Sequence, residues 1–219
     1  MHYGRAMSER LRQRLIDHLQ NASAIRSREV RDAFLEVPRE IFIPEVVEAH
    51  GMDAAYLDEA FPTKTDDRGD AISSSSQPQI MALMLEESNV GRGDRVLEIG
   101  TGTGYNAALL RALVGNQGAV TSVELDPQMA ERARQSLTRE AGLDVVVGDG
   151  RSGYAPGAPF DRILVTARGL GGAARVHTEP NQRESIPDDP RASRRRKANP
   201  IGLSRPAARR RSLEARWTD

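Results

Sequence analysis

Three alternate glycines that follow a short apolar strand constrain the fold of this chain more than any other feature. The segment reads Arg95-Val96-Leu97-Glu98-Ile99-Gly100-Thr101-Gly102-Thr103-Gly104-Tyr105. Glycine lacks a Cβ, so the backbone can bend sharply there and a ligand can approach the main chain. In an open parallel sheet such a turn lies at the carboxyl edge of a strand, where ligands bind. The segment therefore predicts a strand, a ligand-binding turn and a helix.

The spacing of these glycines distinguishes between ligand classes. A dinucleotide fingerprint, G-x-G-x-x-G, needs its third glycine at position 105, where this chain has Tyr105. The acidic Glu98 before the turn suits a ligand with a cationic amino group, whereas a pyrophosphate would meet like charge there. S-adenosylmethionine has such a group. The pattern therefore favours S-adenosylmethionine and disfavours an NAD-linked oxidoreductase.

Two later strands also end in acidic residues. Val120 to Glu124 ends in a carboxylate that can accept hydrogen bonds from ribose hydroxyls, although NAD sites place an acid similarly. Val145 to Val147 leads to Asp149, which we expect to accept from the adenine amino group. In the alternative interpretation these acids only cap helices or face solvent. The predicted cofactor-binding residues are Glu98, Gly100, Thr101, Gly102, Gly104, Glu124, Leu125, Asp149 and Gly150.

Strand and helix patterns alternate along this part of the chain. The predicted elements are strand 95–99, helix 106–114, strand 120–124, helix 127–140, strand 144–148 and strand 162–166. Such alternation favours parallel pairing with right-handed crossovers. The predicted fold class is therefore α/β, a doubly wound, mainly parallel, Rossmann-like sheet.

The region before the sheet is predicted to be helical. Apolar residues recur at helical spacing from Leu11 to Leu19, and again from Val30 to Leu35 after a cap at Ser27. The polar segment 63–70 is predicted to be a loop. It leads into four serines, Ser73 to Ser76, and Pro78 then opens a helix, since proline is tolerated in a first turn.

Composition excludes several functional classes. The chain has no cysteine, which excludes disulfides and a thiolate nucleophile and makes a reducing cytoplasm the expected compartment. Four histidines, His2, His18, His50 and His177, lack the spacing of metal ligands, so we expect no metal. The amino terminus lacks the apolar core of a signal peptide, and no apolar run is long enough to span a membrane. We expect a soluble protein without a membrane partner.

Charge divides the chain unevenly. Residues 168–219 carry thirteen basic and six acidic side chains, whereas residues 1–167 carry 18 basic and 25 acidic ones. The acidic part gives no electrostatic indication of nucleic-acid binding. The basic part has few large apolar side chains to offset the entropy of ordering it. We predict an N-terminal helical and substrate-loop region at 1–90, a cofactor-binding core at 91–167 and a disordered tail at 168–219.

From about residue 11 to residue 167, the chain resembles the protein-L-isoaspartate O-methyltransferases, which use S-adenosylmethionine. Many methyltransferases share the glycine segment, but three further motifs are more specific and occur in the family's order. They are Val37-Pro38-Arg39-Glu40-Ile41-Phe42-Ile43-Pro44-Glu45, then Ala55-Tyr56-Leu57-Asp58, then Ile72-Ser73 through Ser76-Gln77-Pro78. The resemblance implies methyl transfer to the carboxylate of L-isoaspartyl residues in damaged proteins. We expect a monomer.

The resemblance also implies a catalytic serine just before the Gln-Pro dipeptide. Ser76 fits this position, and Pro78 anchors it relative to the next helix. Because this chain has four serines where the family usually has one, Ser73 is the competing assignment. The serine run and the charged segment before it also suggest an alternative substrate, an aspartate in a ribosomally made peptide.

The family pattern calls for further strands after residue 167, including a Pro-Gly-Gly turn, and the sequence shows none of them. The predicted sheet is therefore incomplete, and an inactive truncated homologue is a further alternative. A frameshift or misread gene end is the preferred explanation of the tail. The other is a genuine basic tail for an acidic partner or RNA, although charge runs without aromatics give only non-specific attraction.

Overall fold

The computed structural model describes the backbone of residues 2–137 and 141–167, and their side chains from residue 4 onward. The predicted tail lies outside the described residues. The helices are α1 (His2–Asn21), α2 (Arg28–Glu36), α3 (Pro44–His50), α4 (Pro78–Ser88), α5 (Tyr105–Val114) and α6 (Pro127–Ser136). The strands are β1 (Phe61–Thr65), β2 (Ala71–Ser75), β3 (Arg95–Ile99), β4 (Ala119–Glu124), β5 (Leu143–Val147) and β6 (Arg162–Val165). Single-turn 3-10 helices lie at 39–41, 54–56, 150–152 and 155–157.

Strands β3 to β6 form a parallel sheet in the order β5-β4-β3-β6. The chain adds β4 and β5 on one side of β3 and then returns to place β6 on the other side. This reversal makes the carboxyl end of β3 a topological switch point, where open α/β sheets bind ligands. The predicted doubly wound, Rossmann-like architecture is confirmed.

Apolar sequence on both faces of β3 explains its central place. Residues 96–99 are all buried, which is typical of a strand covered on both faces. On one face β3 and β4 pack with α1, α2, α4 and α5 into one apolar core that extends from Leu11 to Leu164. On the other face a smaller cluster of Leu97, Ile99 and Val123 packs against Tyr154, Phe160 and Ile163. The division at residue 90 remains a prediction.

The N-terminal helices form where the sequence predicts them. In α1 the apolar residues at helical spacing are buried: Leu11, Leu15, Ile16 and Leu19. Helix α2 begins after Ser27, whose hydroxyl accepts a hydrogen bond from the Val30 amide at 3.2 Å. This N-cap satisfies one of the amides that the first turn of a helix leaves without a partner.

The predicted loop at 63–70 is wrong for residues 63–65, which belong to β1, whereas residues 66–70 do connect β1 to β2. Strands β1 and β2 form an antiparallel hairpin here, with Phe61 opposite Ser75 and Thr65 opposite Ala71. Its turn forms because the Asp66 carboxylate accepts hydrogen bonds from the amides of Arg68 and Asp70, both at 2.9 Å. The polar composition obscured a hairpin whose strands are mostly exposed or half-buried. Three of the four serines therefore lie in a strand, and Ser76 follows it directly.

Candidate active site

The glycine turn between β3 and α5 is tight on one side and open on the other. Gly100 has φ +101°, and a Cβ built on it would lie 2.8 Å from the Ala167 nitrogen. Gly102 has φ +55°, and nothing lies within 4 Å of the position of its Cβ. Gly100 is therefore required by packing, whereas Gly102 leaves free space beside the main chain. Gly104 is the N-cap residue of α5.

Glu124, at the end of β4, is bound to this turn. Its Oε2 accepts a hydrogen bond from the Gly102 amide at 2.9 Å, and its Oε1 accepts one from the Asp126 amide at 3.1 Å. The side chain is only half-buried, so the carboxylate is accessible as well as oriented. The structure thus brings together Glu124 and the open glycine. The next residue, Leu125, is 72% exposed, which is unusual for a leucine.

Glu98 lies beneath the turn and is wholly buried. Its carboxylate accepts hydrogen bonds from Asn106 Nδ2 at 2.7 Å and from Ser122 Oγ at 2.5 Å. The Ser122 hydroxyl in turn lies 2.6 Å from that of Thr101, within the turn. Burial raises the pKa of Glu98 to about 7, and the charge of Glu124 adds to this, against the two hydrogen bonds. Direct contact between Glu98 and a ligand remains a prediction.

Asp149 follows β5 and is exposed. Its side chain is the N-cap of the 150–152 turn, accepting from the Arg151 amide at 3.0 Å, and it also pairs with the Arg151 guanidinium at 2.5 Å. These contacts with Arg151 lower the pKa of the Asp149 carboxyl. In this structure Asp149 thus performs the capping role of the alternative interpretation, and its adenine contact remains a prediction. Gly150 lies so close to Ile99 that a Cβ would approach its Cγ2 to 2.2 Å.

The four serines differ in what their side chains contact. The Ser73 hydroxyl accepts a hydrogen bond from Thr63 Oγ1 at 3.2 Å, and Ser75 is buried with its hydroxyl 3.5 Å from Arg39 Nη2. Ser74 is exposed and Ser76 is half-buried. Among the described residues, the Ser76 hydroxyl has no hydrogen-bond partner, and it is therefore free to donate to a ligand.

Asp58 fixes the segment that follows Ser76. Its Oδ1 accepts a hydrogen bond from the Gln79 amide at 2.7 Å, and its Oδ2 accepts one from Gln77 Nε2 at 3.1 Å. The first bond satisfies an amide in the first turn of α4. The Gln-Pro dipeptide therefore begins a helix whose position is set by a residue 21 positions earlier.

The hairpin reaches the cofactor side of the sheet. The Lys64 ammonium on β1 donates a hydrogen bond to the carboxylate of Asp126, two residues after Glu124. Asp126 is also the N-cap residue of α6, accepting from the amides of Gln128 and Met129. The serine-bearing hairpin is thus bound to the strand end that carries Glu124.

Sequence reasoning assigned no role to Asn106, Ser122 or Lys64, and it used Arg39 and Asp58 only as parts of the family motifs. Ser122 was detectable in principle, because a polar residue inside an apolar strand needs a partner. In parallel register it lies opposite Glu98. The other contacts depend on tertiary packing between segments distant in sequence.

These residues fit S-adenosylmethionine. Gly102 leaves room beside the main chain, and the Glu124 carboxylate is positioned at the same turn. Leu125 offers an exposed apolar surface suited to an aromatic ring. Asn106 Oδ1 is buried without a partner among the described residues, so a donor such as an amino group could satisfy it. The described residues contain no group of three or more His, Cys, Asp or Glu side chains that could hold a metal ion, and His177 lies outside the described residues.

A Rossmann-like parallel sheet with a glycine turn and acidic strand ends defines the class of this protein, an S-adenosylmethionine-dependent methyltransferase. The family model described as Protein-L-isoaspartate(D-aspartate) O-methyltransferase (PCMT) matches residues 9–171. The chain belongs to this protein-L-isoaspartate O-methyltransferase family, as its sequence motifs indicated.

Individual relatives agree with the family assignment. The protein-L-isoaspartate O-methyltransferase of Ignicoccus hospitalis is 42% identical over 163 residues, covering 74% of this chain and 72% of that protein. The one from Methanopyrus kandleri is 43% identical over 162 residues, covering 72% of this chain and 67% of that protein.

Two solved structures show the same fold. A protein-L-isoaspartate O-methyltransferase is 37% identical with a TM-score of 0.63; the match covers 71% of this chain and 47% of that one. This chain thus spans about half of that solved chain. A putative protein-L-isoaspartate O-methyltransferase from Plasmodium falciparum, solved in complex with S-adenosyl-L-homocysteine, is 18% identical with a TM-score of 0.56. That match covers 69% of this chain and 71% of the solved one. At this identity it supports the fold alone.

Proposed function

We propose that this protein transfers the methyl group of S-adenosylmethionine to the free carboxylate of L-isoaspartyl residues in damaged proteins. The observation that carries the proposal is the contact between Lys64 and Asp126, which joins the serine-bearing hairpin to the strand end that carries Glu124. A methyl acceptor held by the serines and a donor held at the glycine turn would therefore belong to one site.

The residues at the glycine turn would hold the cofactor. Bound S-adenosylmethionine supplies an electrophilic methyl group on a sulfonium. Glu124 would accept hydrogen bonds from the ribose hydroxyls, Leu125 would cover one face of the adenine, and Asp149 would accept from its amino group. Gly102 would let the ligand lie against the main chain. Glu98 would hold the turn in shape through Ser122 and Thr101.

Ser76 would orient the acceptor. The free carboxylate of an isoaspartyl residue resembles a chain terminus, with a reference pKa of about 3.5, and is ionised at neutral pH. It needs no general base, so the protein has only to align it and exclude water. The Ser76 hydroxyl would donate a hydrogen bond to one carboxylate oxygen and leave the other free to attack. The main-chain amide nitrogen of the substrate would then displace methanol from the ester to form a succinimide, and water would open this ring, partly restoring normal aspartate.

The alternatives raised by the sequence gain no support. The comparisons favour neither an aspartyl methyltransferase acting on a ribosomally made peptide nor an inactive truncated homologue. Protein substrates and a cytoplasmic location are both consistent with the family. A chain without cysteine is also consistent with a reducing compartment. Among the described residues no helix is both long and apolar enough to cross a membrane. The monomeric state remains a prediction.

Methyl transfer to matched peptides tests the proposal. The full chain is incubated with S-adenosylmethionine carrying a labelled methyl group and with two peptides that differ only in isoaspartate or aspartate at one position. We expect base-labile label in the isoaspartyl peptide, at least 100-fold above the aspartyl one, because only the former presents a free carboxylate in the required geometry. Equal labelling, or none, would refute the proposed function.

A further inference from the structure

Arg39 is a wholly buried arginine that holds the main chain of several segments together. Its Nη1 donates to the carbonyl oxygens of Ala55 at 3.2 Å and Leu57 at 2.9 Å, and its Nη2 donates to that of Glu59 at 2.9 Å. The planar guanidinium fork is suited to several acceptors in fixed directions. This side chain therefore fixes the connection between the 54–56 turn and β1.

The same guanidinium contacts the serine segment. Its Nη2 donates to the carbonyl oxygen of Ser76 at 3.2 Å and lies 3.5 Å from the hydroxyl of Ser75. Its central carbon lies 5.6 Å from the ring centre of Phe61 and 6.0 Å from that of Tyr105, the first residue of α5. One side chain thus touches both the proposed catalytic serine and the helix that follows the glycine turn.

Arg39 forms no ion pair among the described residues, although the charge of Asp58 acts on it from nearby. All its hydrogen bonds among the described residues go to neutral oxygens, and none of the ion pairs there includes it. Burial lowers its pKa, against the influence of Tyr105, Asp58 and Tyr56, but a guanidinium keeps its proton at neutral pH. A buried unpaired charge disfavours folding, and an apolar residue could fill the space at lower cost. A role in function would account for it.

We propose that Arg39 is a positioning residue for methyl transfer: its guanidinium holds Ser76 in place, and its unpaired positive charge attracts the substrate carboxylate to that serine. The inference rests on the proposed function. The guanidinium can attract the substrate carboxylate from a distance because a positive charge in a poorly polarisable interior acts over a longer range than one in water. Because Arg39 itself is buried, it would act through Ser76 and not by touching the substrate.

Two substitutions separate the two parts of this role. Arg39→Lys keeps the charge, but one ammonium cannot bond to all five oxygens. Arg39→Gln removes the charge as well. The matched control is Arg111→Gln, because Arg111 also donates to main-chain carbonyls, those of Ala141 and Gly115, at the far end of α5. All three are assayed as full chains, with the active fraction taken from the stoichiometry of S-adenosylmethionine binding.

For Arg39→Lys we expect kcat to fall at least tenfold with KM for the isoaspartyl peptide within threefold of wild type. For Arg39→Gln we expect the same fall in kcat and a tenfold rise in KM. Affinity for S-adenosylmethionine should stay within threefold in both, and Arg111→Gln should change only thermal stability. If both Arg39 variants also lose stability but retain wild-type kcat and KM per active molecule, Arg39 is merely structural and the inference fails.

A measurement without substrate separates this inference from the proposed function. Amide hydrogen exchange at residues 75–79 should be faster in Arg39→Lys than in wild type and unchanged in Arg111→Gln. If the wild-type protein does not methylate isoaspartyl peptides, the proposed function is refuted. The exchange measurement would still show whether Arg39 holds the segment around Ser76 in place. If Arg39→Gln does not fold, Arg39→Lys decides: unchanged kcat and unchanged exchange would overturn the inference.

Discussion

The ammonium of Lys64 donates a hydrogen bond to the carboxylate of Asp126, across 62 positions of sequence. Both side chains are about one-third exposed, so water screens the pair only in part. The contact also lowers the pKa of the Asp126 carboxyl. It ties the hairpin to the start of α6 and so determines where the serines lie relative to the cofactor side.

Breaking this contact should loosen the hairpin and weaken substrate binding. For Lys64→Gln and for Asp126→Asn we expect KM for the isoaspartyl peptide to rise about 1.5- to 5-fold, which corresponds to the ~0.2–1 kcal/mol of a partly screened ion pair. Asparagine is as good an N-cap as aspartate, so Asp126→Asn should leave α6 intact. The double variant should be no worse than either single one. This account would be contradicted if the effects of the two single substitutions on KM simply added in the double variant. An equal rise in KM for Arg68→Gln, in the exposed hairpin turn, would also contradict it.

Ser76 and Ser73 should differ in their effect on turnover. A hydrogen bond to a charged group contributes ~1.5–3 kcal/mol, so Ser76→Ala should lower kcat/KM by roughly 10- to 100-fold. Affinity for S-adenosylmethionine, measured by calorimetry, should not change. Ser73→Ala, which removes only the contact with Thr63, should reduce kcat/KM less than about threefold. The reverse order would assign the catalytic role to Ser73.

The sequence predicted the sheet well and the hairpin badly, for one physical reason. Apolar runs bounded by glycine define the buried strand β3 within the chain itself, and the structure begins and ends it at the predicted residues. The hairpin at 61–75 is polar, and its strands depend on pairing with each other and on Lys64.

The same distinction applies to the site. Glycine spacing and Glu124 are local signals, and the structure brings Glu124 to Gly102. The burial of Glu98 depends on its register with Ser122, and the pairing of Asp149 with Arg151 depends on side-chain conformation. Neither can be seen in a linear pattern.

Glu124 should affect the cofactor before it affects the chemistry. Glu124→Ala removes the acceptor of both the Gly102 and Asp126 amides and the predicted ribose contact. We expect affinity for S-adenosylmethionine to fall at least about tenfold, the equivalent of one charged hydrogen bond, with a smaller change in kcat at saturation. Glu124→Gln keeps one acceptor oxygen, so its affinity for S-adenosylmethionine should lie between that of wild type and that of Glu124→Ala. Wild-type affinity in Glu124→Ala would rule out the ribose role.

Two glycines in the turn should respond differently to one added methyl group: at Gly102 mainly cofactor binding should suffer, and at Gly100 mainly stability. Gly102→Ala places its Cβ in open space at φ +55°, so it should cost about 1 kcal/mol of stability but weaken binding of S-adenosylmethionine strongly. Gly100→Ala would place its Cβ 2.8 Å from the Ala167 nitrogen, so it should lower Tm by more than Gly102→Ala does. Melting curves with and without cofactor measure both effects. Tight binding by Gly102→Ala would show that the free space is not used.

Glu98 should make stability fall as pH rises from about 4.5 to about 7. Its pKa is raised from an ordinary 4.5 to about 7 because burial disfavours the charged form. Between these values the native state holds a proton that the unfolded state has lost, so raising the pH destabilises the native state, by roughly 3 kcal/mol at most. Above pH 7 the penalty is complete, and below pH 4.5 it is absent.

Glu98→Gln removes this titration while leaving groups that can bond to Asn106 and Ser122. Relative to wild type, the variant should therefore gain stability progressively from pH 4.5 to pH 7, as judged by urea unfolding at closely spaced pH values. Glu98 faces Asn106 from α5 and Ser122 from β4, and Glu124 is the charged neighbour whose own change of charge must be controlled with Glu124→Gln. A difference in unfolding free energy that is independent of pH across this range would mean that Glu98 stays ionised in the native protein, held by its two donors.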